Sequence, residues 1–545
     1  MPRRAHVYPQ VEPGAGALVD ARVVAVERTA TVGAALALAR KRDAGVIAVG
    51  GGAALRADLA RADELGLAAL RAAELARPVP IVGARTPEVR VRRALAAGAP
   101  AVLVTDGRVP VGAAMTPPDL PAVGPMLERQ LPPAVADLLS AAAALAEEQR
   151  ATAWLVGGVV RDLLRGDAVA GHDVDIVVEG DGHRLARALG ERTGGTVVLH
   201  ERFLTASVEV AGVGTVDVIT ARSERYERPG ALPRVMPAGI RHDLERRDFT
   251  VNAMAVALAR DRRLVDPHGG RADLARRRLT ILHPLSFVED PTRMFRAARY
   301  AARLGFTLDA WTARCQQLAL RLAPYPALSG PRIVAELDRI LRDAHPEQAL
   351  ARLGRAGAFR LLDPRHRFTA ATARRVAARP ETLRWLADAR IAAAPIDVLL
   401  VTLVADQPRA VAHASLVRLG LSGEPLARLE RALDAAQALP AALAGDARPS
   451  ARARRLRGRS AIELAWIALA GGDAGRRAVT EYATRTAAIA PALGGDDVIA
   501  LGVPRGPEVA EVLDALRDAR LDDDVRDRDG EAAYVREWVR TREEG

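Results

Sequence analysis

The chain has 545 residues, of which 49% are hydrophobic and 27% are charged. This length exceeds one ordinary domain, and the apolar content excludes a globally disordered protein. The formal net charge of +11 suits a polyanionic partner such as nucleic acid or a nucleoside triphosphate. A single cysteine, Cys315, excludes an intrachain disulfide and a multi-cysteine zinc framework, so we expect it to be a buried small hydrophobe.

The N-terminal segment, residues 1–20, is rich in Pro and Gly and predicts a flexible tail. It lacks the apolar core of a signal peptide. No apolar stretch of the chain approaches the roughly 18 residues that a membrane-spanning helix needs. We therefore expect a cytoplasmic protein with no membrane partner.

Residues 21–122 contain an approximate internal duplication. The stretches 23–51 and 79–120 each predict a strand, an amphipathic helix and a short buried strand, in that order. Two such units packed together make a small pseudo-symmetric α/β module. This arrangement resembles a pair of CBS domains.

The resemblance to a CBS pair implies a ligand and an assembly. CBS pairs in many proteins bind adenosine nucleotides, and Asp58, Thr116 and Asp119 stand where that family often holds ribose. The alternative is that Asp58 begins a helix at the surface while Thr116 and Asp119 only turn the chain. Because CBS modules commonly dimerise, the resemblance also implies a homodimer formed through the pair.

The remaining chain changes character twice. Residues 123–150 predict a Pro-punctuated linker and a connecting helix, and residues 151–275 alternate strand and helix patterns. From about residue 276 strand signals nearly vanish, and Ala/Leu/Arg helices predominate. A basic stretch at 447–460 predicts either a solvated loop or a phosphate-holding segment. The fold class expected is therefore multi-domain, α/β followed by all-α.

Two short motifs carry the chemistry of the α/β segment. In the predicted strand "HDVDIVV", Asp173 and Asp175 lie on one face while Val174 and Ile176 point into a core. Two carboxylates so close together are suited to Mg²⁺, which prefers oxygen ligands. A surface strand with two solvated aspartates would show the same pattern.

The second motif, "LVGGVVRD", predicts a strand that ends at Gly157-Gly158 and runs directly into a helix. The turn brings backbone N–H groups and a helix N-terminus together, which suits phosphate. It is neither a P-loop, since Gly-Lys-Ser/Thr is missing, nor a G-x-G-x-x-G fingerprint. A tight turn that uses glycine for clearance is the structural alternative.

Taken in order, the two motifs resemble the signature of the polymerase-β-like nucleotidyltransferases, and more closely the class II CCA-adding enzymes and bacterial poly(A) polymerases. Further matches follow in the order of that family. They are the strand with Asp217 (215–235), "RRDFTVNAMAV" (246–256), the DP-GG-DL stretch (264–282), the "EDPTR" helix (287–306) and "GPRIVAEL" (330–337). One departure is Leu204, where proteins of this kind are expected to have glycine.

The resemblance implies a role for each matched residue. Asp173 and Asp175 would hold Mg²⁺ and Asp217 would be a third catalytic carboxylate. The implied nucleotide-binding residues are Gly157, Gly158, Arg161, Asp162, Arg247, Asp248, Asn252, Asp290, Arg293, Arg296 and Arg299. Of these, Asp290 and Arg293 would read the base edge. The alternatives are that Asp290 caps a helix, with Pro291 at its first position, and that Asn252 is a satisfied interior amide.

The resemblance further implies a nucleotidyltransferase head at 151–275, a helical neck at 276–350, and an RNA-binding helical body and tail at 351–545. The expected activity is template-independent addition of CCA, or of its C or A part, to tRNA from CTP and ATP. The long segment 222–245 favours an enzyme able to add the terminal A. Alternatives are poly(A) tailing of other RNAs and, in another class, an adenosine-nucleotide sensor with an idle head.

Overall fold

A computed structural model describes residues 14–116, 123, 129–167, 174–445 and 448–543. The chain separates into two compact units, residues 1–328 and 329–545. Within the described ranges, no helix has both the length and the apolar character needed to cross a membrane.

The N-terminal module, residues 14–116, consists of two three-stranded sheets with the same strand order. In each sheet the first strand is parallel to the second and the second is antiparallel to the third. The strands are β1 (Val23–Val26), β2 (Val46–Val49), β3 (Gly52–Leu55), β4 (Ile81–Gly83), β5 (Val102–Asp106) and β6 (Val109–Ala114). The helices are Val32–Lys41, Arg56–Glu64, Ala72–Leu75 and Glu88–Ala96. The predicted duplication is thus present, and its assignment as a CBS pair stays a prediction.

The expected flexible tail is wrong for the part of it that the structure describes. Residues Ala15–Leu18 form a 3₁₀ turn, and Ala15 is fully buried. The backbone N–H of Ala15 donates to the carbonyl of Thr86 at 2.7 Å. Ala15 and Leu18 are apolar and complete the core of the second half of the module, which is why this stretch is ordered. Residues 1–13 lie outside the described ranges.

The head is built on a seven-stranded sheet in the order β15-β14-β7-β8-β11-β10-β9. Its strands are β7 (Thr152–Val156), β8 (Val174–Glu179), β9 (Thr196–His200), β10 (Thr205–Val210), β11 (Gly214–Thr220), β14 (Ala255–Ala257) and β15 (Leu264–Val265). A separate hairpin pairs β12 (Arg222–Arg225) with β13 (Arg234–Pro237). Helices Pro133–Glu148 and Gly182–Thr193 cover one face of the sheet and helix Ile240–Glu245 the other.

The segment predicted as a linker helix is an integral part of the head. Helix Pro133–Glu148 buries Leu138, Ala142 and Leu145 in the same core as the sheet. These residues recur at intervals of four and three, so they form one apolar stripe. The sheet therefore recruits the helix as its cover.

The rest of the first unit is mostly helical, with a short parallel pair of strands, β16 (Arg278–Leu279) and β17 (Thr307–Leu308). Its helices are Gly158–Arg165, Gly270–Ala275, Ser286–Glu289, Thr292–Leu304 and Ala310–Arg321. Cys315 is fully buried, as predicted, and burial raises the pKa of its thiol to about 12.

The described part of the second unit contains helices and no strand, in agreement with the expected all-α character. The helices are Gly330–Leu341, Pro346–Ala356, Ala370–Ala377, Arg379–Asp388, Pro395–Val404, Arg409–Arg418, Gly423–Gly445, Pro449–Leu456, Ala461–Ala470, Gly472–Thr484, Gly495–Ala500, Pro507–Leu521 and Arg528–Glu543. The basic stretch expected to be a loop is largely the helix Pro449–Leu456. Arg454 in the last turn of this helix pairs with Asp518, and Arg457, which follows the helix, pairs with Asp514.

Leu204 adopts a left-handed backbone conformation, which glycine adopts more readily than other residues. It ends a short 3₁₀ turn with φ 53° and ψ 41°, in the left-handed region. This region costs an L-residue with a β-carbon roughly 1–2 kcal/mol. Leu204 therefore holds this turn at the expense of backbone strain.

Candidate nucleotide site

Two of the three predicted carboxylates stand side by side on adjacent strands. Asp175 on β8 is the register partner of Asp217 on the parallel strand β11. Register partners on adjacent strands project to the same face from backbones about 4.8 Å apart. Val174 and Ile176 are buried, as the strand periodicity predicts. Asp173 lies outside the described residues.

This carboxylate pair fits a divalent cation. Two like charges on one face repel each other unless a cation lies between them, and carboxylate oxygens are the ligands that Mg²⁺ prefers. The Ser207 hydroxyl donates to Asp217 Oδ1 at 2.7 Å and orients that carboxylate. No group of three or more His, Cys, Asp and Glu side chains suited to a metal occurs within the described ranges.

Gly157 brings the backbone against this pair. It follows the last residue of β7, has φ 77° and ψ −137°, and directly precedes the helix Gly158–Arg165. A β-carbon at Gly157 would lie 2.9 Å from Asp175 Oδ2 and 3.3 Å from Arg247 Nη1. The paired glycines thus place a helix N-terminus, with its free N–H groups, beside a carboxylate and a guanidinium.

A buried hydrogen-bond network joins residues from three of the predicted motifs. Arg161 donates to both carboxylate oxygens of Asp162, at 2.8 Å each, and to Asn252 Oδ1 at 2.7 Å. The Asn252 amide donates to Asp248 Oδ1 at 3.1 Å. Asp248 Oδ2 in turn accepts from Arg296 at 2.7 and 2.9 Å. The site residues expected from "GGVVRD", "RRDFTVNA" and the "EDPTR" helix therefore meet.

The charges of this network are set by its ion pairs. Burial by itself raises the pKa of Asp248, but Arg296, Asn252 and Arg293 together outweigh burial and lower the pKa below its ordinary value. Asp248 therefore stays ionised at neutral pH. The arrangement presents arginine side chains in fixed directions, which suits recognition of a phosphate or ribose group.

Arg247 is held by a buried aspartate to which the sequence reasoning assigned no role. Asp243 accepts from Arg246 at 2.7 and 2.9 Å and from Arg247 at 3.0 and 3.3 Å. Burial opposes ionisation, but Arg247 and Arg246 lower the pKa of Asp243 below its ordinary value. The sequence did contain a signal for this contact: Asp243 precedes the two arginines by three and four residues, a spacing that favours ion pairs in a helical segment.

The residues expected to read the base are anchored in the fold. Asp290 Oδ1 accepts from the backbone N–H and the hydroxyl of Thr292, at 3.0 and 2.6 Å. The helix begins at Thr292, one residue later than predicted, and Pro291 is its N-cap residue. Arg293 is buried and donates to Ser286 Oγ at 2.7 Å and to the Arg246 carbonyl at 2.8 Å. The alternative predicted for Asp290 is therefore met only in part: Asp290 binds the first residue of the helix, but Pro291 occupies the N-cap position.

Tyr300 is a residue that the sequence reasoning missed. Four guanidinium carbons lie over its ring, at centroid distances of 4.8 to 5.7 Å; they belong to Arg161, Arg296, Arg299 and Arg303. Phe249 packs edge-on against the same ring at 6.0 Å. Such contacts between a cation and an aromatic face are favourable. The sequence did contain a signal for this residue. Tyr300 stands among arginines at helical spacing, in a chain of which only 3% of the residues are aromatic.

The chain that carries these motifs is similar to known proteins of one family. The family profile described as the poly(A) polymerase head domain matches residues 153–280. The chain is 33% identical to an A-adding tRNA nucleotidyltransferase of Geobacter sulfurreducens over 74% of this chain and 47% of that protein. It therefore spans about half the length of that relative.

Two further relatives are covered almost completely. The chain is 32% identical to a CC-adding tRNA nucleotidyltransferase of Deinococcus radiodurans, over 71% of this chain and 89% of that protein. A solved structure of a CCA-adding enzyme in complex with ATP superposes with a TM-score of 0.66 at 25% identity. That superposition covers 77% of this chain and all of the other chain.

Proposed function

This chain belongs to the tRNA nucleotidyltransferase family, and from that premise we propose that it transfers a nucleotide from ATP or CTP to the 3′ end of a tRNA with release of pyrophosphate. The observation that carries the proposal is that the Gly157-Gly158 turn lies against both the Asp175–Asp217 pair and the Arg161–Asn252–Asp248–Arg296 network. A β-carbon at Gly157 would lie 2.9 Å from Asp175 Oδ2, and one at Gly158 would lie 3.4 Å from Arg161 Nη2. The names of the similar proteins, and the ATP held by one of them, point to the same substrates.

The carboxylates and the arginines would divide the work of the transfer. Asp175 and Asp217, with Asp173, would hold Mg²⁺, which when bound supplies positive charge to the α-phosphate and the attacking oxygen. Gly157 leaves room for a phosphate against the first N–H groups of the helix. Arg161 and Arg296, held in direction by Asp162 and by Asp248, would compensate charge on the leaving pyrophosphate.

The remaining site residues would choose and orient the nucleotide. We assign ribose and phosphate contacts to Arg247, Asp248 and Asn252, and base recognition to Asp290 and Arg293. A carboxylate and a guanidinium together offer the acceptors and donors that a base edge requires. The arginine-rich second unit would bind the tRNA through its backbone and shape.

Addition of the terminal A is the partial reaction that we favour. The segment after Asp217 is long and forms the hairpin of β12 and β13 before the helix Ile240–Glu245. The relative that is 33% identical to this chain is an A-adding enzyme. Addition of the C residues, or of the whole CCA, uses the same motifs and is the alternative.

Incorporation of single labelled nucleotides onto three tRNAs tests the proposal. The tRNAs end before CCA, after C and after CC, and the favoured reaction predicts one A on the third alone. Addition of C to the first tRNA would assign CC or CCA synthesis instead, and a long homopolymer would assign poly(A) tailing. Activity that survives the double substitution Asp173→Ala and Asp175→Ala would refute the assignment of the metal-binding carboxylates, and loss of activity on removal of Mg²⁺ is expected.

For the N-terminal module we propose a CBS pair that binds an adenosine nucleotide and forms a homodimer. The two matching sheets support the resemblance. Thr116, one of the expected ribose contacts, donates its hydroxyl to Asp20 at 2.5 Å, and Asp119 lies outside the described residues. Binding of labelled AMP to the full chain carrying Asp175→Asn tests the site, and sedimentation tests the dimer. A sensor with an idle head would bind AMP and add no nucleotide. The cytoplasmic location stays a prediction.

A further inference from the structure

The N-terminal module reaches the base-reading motif through one arginine. Arg61, on the helix Arg56–Glu64, places Nη1 3.4 Å from Glu289 Oε1. The Glu289 side chain is 6% exposed, whereas that of Arg61 is 35% exposed. Glu289 is the residue directly before Asp290, so the module contacts the motif at its first residue.

Each carboxylate oxygen of Glu289 has its own neighbour. Oε1 faces Arg61, and His283 Nε2 lies 3.3 Å from Oε2. Burial and the nearby Arg61 charge lower the pKa of His283 to about 4, so this histidine is neutral at pH 7. Although burial opposes it, His283, Arg61 and Arg293 together lower the pKa of Glu289 to about 2. At neutral pH the buried Glu289 carboxylate is therefore ionised, and Arg61 is its nearest cation outside the "EDPTR" motif.

Glu289 lies in the turn that sets the two base-reading side chains. It ends the short helix Ser286–Glu289, and its carbonyl accepts from the backbone N–H of Gly230 at 3.1 Å. The next helix begins at Thr292, whose backbone N–H donates to Asp290 Oδ1 at 3.0 Å. A displacement of Glu289 would therefore redirect Asp290 and the first turn of the helix that carries Arg293.

Other contacts hold the module against the rest of the first unit independently of Arg61. Arg321 donates to Glu74 at 2.6 Å, and the Arg77 guanidinium lies 4.5 Å from the Trp311 ring centroid. Gly98 packs so closely on Gly269 that a β-carbon at Gly98 would lie 2.6 Å from the carbonyl oxygen of residue 268. Loss of Arg61 would therefore disturb Glu289 while the module stays in place.

We propose that Arg61 is a positioning residue for nucleotide selection, acting through Glu289 on Asp290 and Arg293. The inference rests on the proposed function, because it assigns base recognition to those two residues. It makes the N-terminal module a structural part of the nucleotide site. Truncation of Arg61 leaves a buried carboxylate without that partner, and such a group relaxes toward other donors or water.

The test compares Arg61→Met with Arg61→Lys and with the control Arg321→Met in the full chain. Arg321→Met removes an ion pair from the same interface that is more exposed, at 58% for Arg321 and 32% for Glu74, and it does not touch Glu289. We expect Arg61→Met to raise the KM for ATP on a tRNA ending in CC about tenfold, with kcat within about twofold. The ratio of kcat/KM for ATP over CTP should fall by a similar factor, Arg61→Lys should recover most of it, and Arg321→Met should leave it unchanged.

The outcomes separate the inference from the proposed function. If the wild-type chain adds no nucleotide to tRNA, the proposed function fails, and the Kd for ATP measured without tRNA then tests Arg61. Thermal unfolding shows whether each variant is folded, and Arg61→Gln serves if Arg61→Met is not. An unchanged ATP/CTP ratio and an unchanged Kd in a folded variant would overturn the proposal. So would an equal effect of Arg321→Met.

Discussion

A single β-carbon at Gly157 should disable the site while leaving the fold in place. The Gly157→Ala variant would put this atom 2.9 Å from Asp175 Oδ2 and 3.3 Å from Arg247 Nη1. Carbon–oxygen contacts are ordinarily about 3.5 Å, so the carboxylate would have to move by roughly 0.5 Å or rotate away. Arg247 is restrained by Asp243, which leaves little room on the other side.

The same substitution also strains the backbone. Gly157 has φ 77° and ψ −137°, a region that residues with a β-carbon avoid at about 1–3 kcal/mol. Displacing a carboxylate of the proposed metal site by a fraction of an ångström to an ångström is expected to reduce kcat by about 100-fold. Activity should therefore fall much further than stability.

Gly166 is the matched control because it ends the helix that Gly157 begins. It has φ 80°, and a β-carbon there would meet nothing within 4 Å. Gly166→Ala and Gly157→Ala should each lower the melting temperature by a few degrees, because each strains one residue by about 1–3 kcal/mol. Incorporation of labelled nucleotide should fall only in Gly157→Ala. Near-wild-type kcat in that variant, or an equal loss in both, would refute the steric reasoning.

The remaining predictions concern the network and the buried histidines. Tyr300→Leu should raise the KM for ATP about tenfold, because it removes the aromatic face shared by four guanidinium groups. Tyr300→Phe keeps that face, so its KM should stay within about twofold of the wild-type value. Equal KM values for the two variants in steady-state kinetics would contradict the role of the ring. Asp248→Asn should destabilise the first unit by about 2 kcal/mol in a denaturant titration, because it removes a buried, ionised acceptor of two hydrogen bonds from Arg296. An unchanged unfolding midpoint would show that the ion pair of Asp248 with Arg296 contributes nothing to stability. Burial lowers the pKa values of His268 and His283 from 6.5 to about 4, so only the unfolded chain takes up these protons as the pH falls from 6.5 to 4. Stability should then fall by about 3 kcal/mol for each histidine, and His268→Gln should flatten the dependence of melting temperature on pH; an identical slope would contradict this origin.

Much of the site could be predicted because strand alternation and turn formation depend only on residues close together in the sequence. The alternation of side chains along a strand put Val174 and Ile176 in the core, and the structure confirms both. The strand-to-helix turn at Gly157-Gly158 likewise follows from local chemistry, and it is present. The order of the motifs indicated the family, which the comparisons confirm.

Other predictions were wrong because local pattern does not reveal what a segment packs against. Residues Ala15–Leu18 looked like a tail, and the helix Pro133–Glu148 looked like a linker, yet both complete apolar cores. The basic stretch near residue 450 looked like a loop, but arginine side chains there are neutralised by aspartates far along the chain, which allows a helix.

By itself the sequence determined the residue types of the site and the faces on which they lie, because helix and strand periodicities are properties of neighbouring residues. Only the tertiary structure decided which of them meet. The register that sets Asp175 beside Asp217, and the contact of Arg61 with Glu289, join segments far apart in the chain. Such partners depend on how sheets and helices pack, and packing is a property of the whole fold.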